Sequence, residues 1–92
     1  MQRIMMPERI HAVNAAEVEA QLADIVTTEP KVLICDFSQS QLVTSSGVRI
    51  ILIYAKKMVE YGGKMHLANL SGSVLKTIEM ANLGAIIEII DE

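Results

Sequence analysis

The run Val32-Leu33-Ile34-Cys35 constrains the fold more than any other feature of the sequence, because it is apolar without alternation. A strand with one solvated face alternates between apolar and polar residues, whereas a strand buried on both faces does not. Strands of the second kind occur at the centre of parallel sheets. Residues 31–36 are therefore predicted to form a central strand, and the chain is predicted to be an α/β protein.

The rest of the 92 residues alternates between strand-like and helix-like segments. Apolar runs predict strands at residues 3–6, 31–36, 65–68 and 86–90, and helical spacing predicts helices at residues 15–27, 46–61 and 71–81. Short connections and right-handed crossovers then favour an about four-stranded, mixed or largely parallel sheet packed by three or more helices. We expect a single domain over residues 1–92.

The second predicted helix has more apolar residues than one stripe can bury. Its predicted core face consists of Val48, Ile51, Leu52, Ala55 and Val59. Ile50, Ile53 and Tyr54 are apolar on other faces. Two interpretations are open: neighbouring elements embed the helix, or part of its surface receives a protein partner.

Two adjacent hydroxyls, Ser45 and Ser46, stand where a polar loop becomes this helix. A serine there can cap the first turn, and capping alone is one interpretation of the pair. The other is a switch, because the free N–H groups and dipole of a helix N-terminus favour a phosphate placed against them. To a docked partner, the same phosphate is a new charge in the contact surface.

The stretch Leu-Val-Thr-Ser-Ser-Gly-Val-Arg at residues 42–49, preceded by Val-Leu-Ile-Cys-Asp-Phe-Ser, resembles the signature of the STAS domain of bacterial anti-sigma factor antagonists. In that family an apolar strand ends in Asp-x-Ser, and a loop leads to Asp-Ser-Ser-Gly or to Ser-Ser-Ala-Gly-Leu-Arg at the head of a helix. The resemblance continues through Tyr-Gly-Gly-Lys at residues 61–64 and Asn-Leu-Gly at residues 82–84. It covers roughly residues 4–90 and implies a STAS-like fold.

The resemblance also implies a function. Such proteins sequester an anti-sigma factor that is also a serine kinase, and so free a sigma factor for transcription. The serine phosphorylated in the family falls on Ser45, with Ser46 as the alternative, while Thr44 stands where the family often has an acid. A serine phosphatase is a further predicted partner. Loops gather at the carboxyl ends of parallel strands, which places Asp36, Ser38 and residues 44–47 at the same edge of the sheet. The predicted partner-binding residues are Asp36, Ser38, Thr44, Ser45, Ser46, Gly47, Arg49 and Ile50. Asp36 taken alone is better interpreted as a residue that caps its loop.

Catalysis by the chain itself is not expected. Ser45, His66 and Asp36 lack the Gly-x-Ser-x-Gly elbow of a hydrolase, and the spacing of Gly62-Gly63 is not that of a nucleotide-binding loop. Neither histidine has metal-ligand spacing with another His or Cys. The sequence therefore predicts no enzyme, no cofactor and no metal site.

Composition narrows the choice of partners and compartment. Eight basic residues are scattered singly in a chain of net charge −3, so neither nucleic acid nor a membrane surface is an expected partner. The lone Cys35 excludes an internal disulfide and suits a reducing cytoplasm. No apolar window approaches the length of a membrane span.

One alternative function and one mode of assembly accompany these predictions. The domain could be a non-switching STAS scaffold subunit of a stress-signalling or lipid-transport assembly, since relatives of the fold serve in both. The family usually has another strand before residues 3–6, so the N-terminal edge of the sheet is predicted to lie open. An open edge invites pairing, which predicts a homodimer through this edge.

Overall fold

The computed structural model of the chain describes residues 1–91, which contain a four-stranded parallel sheet and three helices. In chain order the elements are β1 (Gln2–Met5), β2 (Arg9–Ile10), α1 (Ala15–Val26), β3 (Val32–Asp36), β4 (Leu42–Val43), α2 (Ser45–Glu60), β5 (Lys64–Ala68), α3 (Gly72–Ala81) and β6 (Ile87–Ile90). The main sheet has the order β1-β3-β5-β6, and each pair is parallel. The predicted fold class and all seven predicted elements are confirmed.

The core lies on one face of the main sheet. Leu33 and Cys35 pair in register with Met65 and Leu67, and all four side chains are fully buried. Buried side chains of all three helices belong to the same cluster: Val18, Leu22, Val26, Ile50, Ile51, Tyr54, Ala55, Met58, Val74 and Ile78. Ile34, which points to the opposite face, is buried but lies outside this cluster. Asp36 on that opposite face is buried as well, so β3 is buried on both faces, as its continuous apolar run predicts, although the helical core lies on one of them.

The buried face of α2 differs from the predicted one. The buried residues are Gly47, Ile50, Ile51, Tyr54, Ala55 and Met58. Of the predicted set, Val48 and Leu52 are half-buried and Val59 is 48% exposed. The reason is that α1 packs beside α2, so the buried stripe of α2 turns toward Ile50 and Tyr54.

A second, two-stranded parallel sheet was not predicted. It pairs Arg9 with Leu42 and Ile10 with Val43, and strands of two residues carry too little pattern to be recognised in a sequence. This small sheet holds the segment before α1 against the start of α2. Gly47 packs directly on it, because a Cβ at this position would stand 2.8 Å from Ile10 Cγ2 and 2.9 Å from Val43 Cγ1.

Two glycines, Gly62 and Gly63, follow the end of α2 at Glu60. Gly62 has a φ of +88°, in the left-handed region that glycine adopts without a steric penalty. The carbonyl of Met58 accepts the N–H of Gly63 at 2.7 Å, which closes the last turn. The chain then enters β5.

Candidate functional site

Asp36 organises the loop that follows β3. Its Oδ1 accepts from the backbone N–H of Ser38 at 2.9 Å and from Asn69 Nδ2 at 3.1 Å, and its Oδ2 accepts from Arg3 Nη1 at 3.0 Å. The Asn69 hydrogen bond is the largest influence on the Asp36 carboxyl; together with the Ser38 bonds and the Arg3 charge it outweighs burial and lowers the pKa. With 7% of the residue exposed and both oxygens engaged, Asp36 acts on the site by shaping the loop.

The loop between β3 and β4 is tied to the segment after β1. Ser40 Oγ donates to the carbonyl of Pro7 at 2.6 Å, and Gln39 Nε2 donates to the carbonyl of Met6 at 3.1 Å. Ser38 is exposed, and its hydroxyl contacts Met5 Sδ at 3.8 Å. In the part of the chain that the structure describes, Asp36 and Ser38 form no hydrogen bond with residues 44–47. The two groups of predicted partner-binding residues therefore belong to separate hydrogen-bond networks.

Thr44 is the residue that precedes the first turn of α2. Its backbone is extended, with φ −93° and ψ 179°, and its side chain does not cap the helix. Its N–H and its Oγ1 both donate to the carbonyl of Ile10, at 2.9 and 3.2 Å, because the pairing of β2 with β4 continues into Thr44. The prediction that Ser45 or Ser46 is the N-cap is therefore wrong: the cap position belongs to Thr44, and both serines lie inside the helix.

Ser45 and Ser46 are the first two residues of α2. Ser45 is exposed and Ser46 is half-buried. In the described chain neither hydroxyl makes a hydrogen bond, and the backbone N–H groups of the two residues find no acceptor there. An exposed, unengaged hydroxyl therefore stands at the positive end of a 16-residue helix whose terminal donors are unsatisfied.

The other predicted partner-binding residues near the start of α2 differ in their exposure to solvent. Gly47 is buried against Ile10 and Val43, and Ile50 is only 6% exposed; their role in partner binding stays a prediction. Arg49 is exposed, and no carboxylate of residues 1–91 lies within 4.0 Å of it. The accessible predicted residues are thus Ser45 and Arg49, with Thr44 and Ser46 partly accessible and Ser38 apart from them.

A groove between α1 and α2 opens beside these residues and was not predicted. Ala12, Ala15, Ala16 and Glu19 line it on the α1 side, and Ser46, Arg49, Ile50 and Ile53 line it on the α2 side. Glu19 is held by Tyr54, whose hydroxyl donates to Oε2 at 3.3 Å. The sequence contains no signal for this groove, because it exists only where the two helices pack side by side.

The residues considered for catalysis do not assemble. His66 lies in β5 with its Nδ1 at 3.4 Å from Oε2 of Glu88, while Ser45 begins α2 and Asp36 is bonded to Arg3, Ser38 and Asn69. Residues 1–91 hold no cluster of three or more His, Cys, Asp or Glu side chains arranged to bind a metal. Within the same residues, no helix has the length and apolar character needed to cross a membrane.

Comparison with known proteins identifies the family. The STAS domain family model matches residues 4–92, and the chain belongs to that family, which confirms the resemblance seen in residues 42–49. BtrV of Bordetella bronchiseptica, assigned provisionally as an anti-sigma factor antagonist, is 26% identical over 72 residues. That alignment covers 78% of this chain and 62% of BtrV, so the chain spans less than two thirds of that relative.

Solved structures show the same fold. A Thermotoga maritima protein, provisionally described as an anti-sigma factor antagonist, superposes with a TM-score of 0.83 at 18% identity, covering 98% of this chain and 79% of the other. The unphosphorylated anti-sigma factor antagonist SpoIIAA superposes with a TM-score of 0.75 at 16% identity, covering 98% and 78%. The phosphorylated form of SpoIIAA, from Bacillus, gives 0.73 at 19% identity, covering 98% and 82%.

Proposed function

We propose that this chain is an anti-sigma factor antagonist. It binds an anti-sigma factor that is also a serine kinase, through the surface around the first turn of α2, and so frees a sigma factor for transcription. Membership of the STAS family supports this, as do the relatives that carry the same functional description. The proposal assigns no catalytic step to the chain, and a role in transcription places it in the cytoplasm.

The observation that carries the proposal is the state of Ser45. Its hydroxyl is exposed and makes no hydrogen bond in the described chain, so a kinase can reach it without breaking a contact. A phosphate there meets the unsatisfied N–H groups and the positive dipole of α2, so the fold tolerates it. For a docked partner it is an added charge of roughly −1.5 to −2 in the contact surface, and binding weakens. Ser46 is the alternative acceptor.

The proposal includes two further protein partners, a serine phosphatase and a second copy of this chain. A serine phosphatase is needed to return phosphorylated Ser45 to the binding form. A homodimer through the N-terminal edge stays a prediction; β1 pairs with β3 on one side, and its other side is a sheet edge that can pair with a second strand.

Incubation with ATP and each purified serine-kinase anti-sigma factor of the source organism tests the proposal, with the phosphate mapped by mass spectrometry. We expect one kinase to modify Ser45, the Ser45→Ala variant to bind it without being modified, and Ser45→Asp to bind weakly. Ser46→Ala is the matched control and should be modified normally. Phosphate on Ser46 would reassign the switch. Stable binding without phosphate on residues 44–46 would favour the non-switching scaffold, and no binding to any of these kinases would reject the proposal.

A further inference from the structure

The α1–α2 groove, defined by the eight lining residues given above, includes Ser46, the residue that follows Ser45. Its volume is about 340 Å³, and its walls differ in character. Ala12, Ala15 and Ala16 form the α1 wall above Glu19, and Ile50 and Ile53 form the apolar part of the α2 wall. Ser46 belongs to the same lining, so the groove is continuous with the first turn of α2.

The apolar part of the groove has space for a side chain from outside. The alanines place only methyl groups on the α1 wall, whereas Ile53, a large apolar residue, is 36% exposed on the opposite wall. An aliphatic side chain lodged between Ala16 and Ile53 would remove apolar surface from water on both walls, which favours binding in proportion to the area covered.

Arg49 supplies the polar half of the recognition. Its guanidinium lies at the groove without a carboxylate partner in residues 1–91, and it keeps its charge at any physiological pH. Glu19 on the opposite wall is occupied by the Tyr54 hydroxyl and forms no ion pair with Arg49. The α2 wall of the groove therefore presents the Arg49 cation beside an apolar surface, while the Glu19 carboxylate lies on the α1 wall. The group complementary to the α2 wall is a carboxylate adjacent to an aliphatic side chain.

From this charge complementarity we infer that the α1–α2 groove is the binding site for the anti-sigma factor. The anti-sigma factor inserts an aliphatic side chain between Ala16 and Ile53 and forms an ion pair between an Asp or Glu and Arg49. The inference rests on the proposed function and names the surface that the partner uses. It also explains how a phosphate on Ser45 acts. Ser45 and Arg49 are four residues apart on α2, the spacing at which an acid and a following base interact on one helix face. The phosphate competes for Arg49 and repels the partner's carboxylate.

Charge reversal tests the polar contact. Arg49→Glu should weaken binding to the anti-sigma factor by at least about tenfold, as expected when a cross-interface charge pair becomes repulsive. Lys76→Glu is the matched control, because it makes the same change of charge at an exposed position of α3; it should bind as the wild type does. Individual Asp→Arg and Glu→Arg substitutions across the anti-sigma factor should include one that restores binding to Arg49→Glu. Wild-type affinity of Arg49→Glu, or failure of every reversal to rescue it, would overturn the inference.

Filling the groove tests the apolar contact independently. Ala16→Trp should abolish binding, and Gln21→Trp, which introduces the same side chain at an exposed α1 position outside the groove lining, should leave it unchanged, while both variants keep the circular dichroism spectrum and the melting temperature of the wild type. Undiminished binding by a folded Ala16→Trp would place the partner elsewhere. These outcomes are separable from failure of the proposed function, because in each case the wild-type chain binds the same anti-sigma factor.

Discussion

Arg3 and Asp36 lie on the adjacent parallel strands β1 and β3, and Arg3 Nη1 donates to Asp36 Oδ2 at 3.0 Å across the end of the sheet. The same carboxylate accepts from Asn69, which follows β5, and from the N–H of Ser38 in the loop after β3. One buried side chain thus links residues of β1 and of the loops that follow β3 and β5. The loop that leads to β4 and α2 starts from this fixed point.

The pH dependence of stability should report this network. The pKa of folded Asp36 is held below its ordinary value of about 3.9, so the carboxylate contributes its full stabilisation above that pH. The stabilisation is lost as pH falls from about 4 through the lower pKa of the folded state. Asp36→Asn should cost about 1–3 kcal/mol in the free energy of unfolding at pH 7, and this difference should shrink as the solution is acidified below pH 4.

Urea unfolding between pH 7 and pH 3 measures this effect. Asp24→Asn is the control, since Asp24 is exposed on α1 and has no hydrogen bond or ion pair in the described chain; it should change stability by less than about 0.5 kcal/mol. An Asp36→Asn variant whose deficit stays constant down to pH 3 would contradict the assigned role of the carboxylate.

Ser46 should matter little to stability. Capping by Ser46 would make its loss cost about 1 kcal/mol, but its hydroxyl makes no hydrogen bond within residues 1–91. Ser46→Ala should therefore change the free energy of unfolding by less than about 0.5 kcal/mol. Thr44→Ala, which removes the bond from Oγ1 to the carbonyl of Ile10, should cost about 0.5–1.5 kcal/mol. Thermal or urea denaturation compares the two, and a larger loss for Ser46→Ala would restore Ser46 as the cap.

Gly47 should be intolerant of a side chain although it lies in a helix. Alanine normally favours a helix over glycine by about 1 kcal/mol, but the added Cβ would meet Ile10 and Val43 at less than 3.0 Å. Displacing β2 and β4 should cost about 1–3 kcal/mol and outweigh the helical gain. Gly84→Ala is the matched control, because a Cβ at Gly84 meets nothing within 4 Å. Equal stability of the two variants in urea unfolding would refute the close packing at Gly47.

Cys35 should be chemically inert until the chain unfolds. Its side chain is fully buried in β3, and burial raises the pKa of the thiol to about 12. Because the thiolate is the reactive form, a disulfide reagent at pH 8 should label the native protein slowly and the urea-unfolded protein rapidly. Rapid labelling under native conditions would show that β3 is accessible to the reagent.

The sequence by itself determined the class of fold and the location of the switch candidate. Apolar runs and helical spacing place every element of the main sheet and all three helices within one residue of their observed bounds, since these signals depend on neighbours along the chain. The pattern around Ser45 and Ser46 likewise indicates the start of α2. The residues of one local stretch are enough to predict a helix or strand and where it begins.

Only the tertiary structure decided which faces meet. The buried stripe of α2 includes Ile50 and Tyr54 because α1 packs there. Thr44 is the N-cap residue because its hydrogen bonds to Ile10 extend the pairing of β2 with β4 up to the start of the helix. The α1–α2 groove and the unpaired Arg49 arise from the same packing. A periodic apolar pattern shows that a helix has a buried face, but with apolar residues on several sides the choice among them depends on partners distant in sequence.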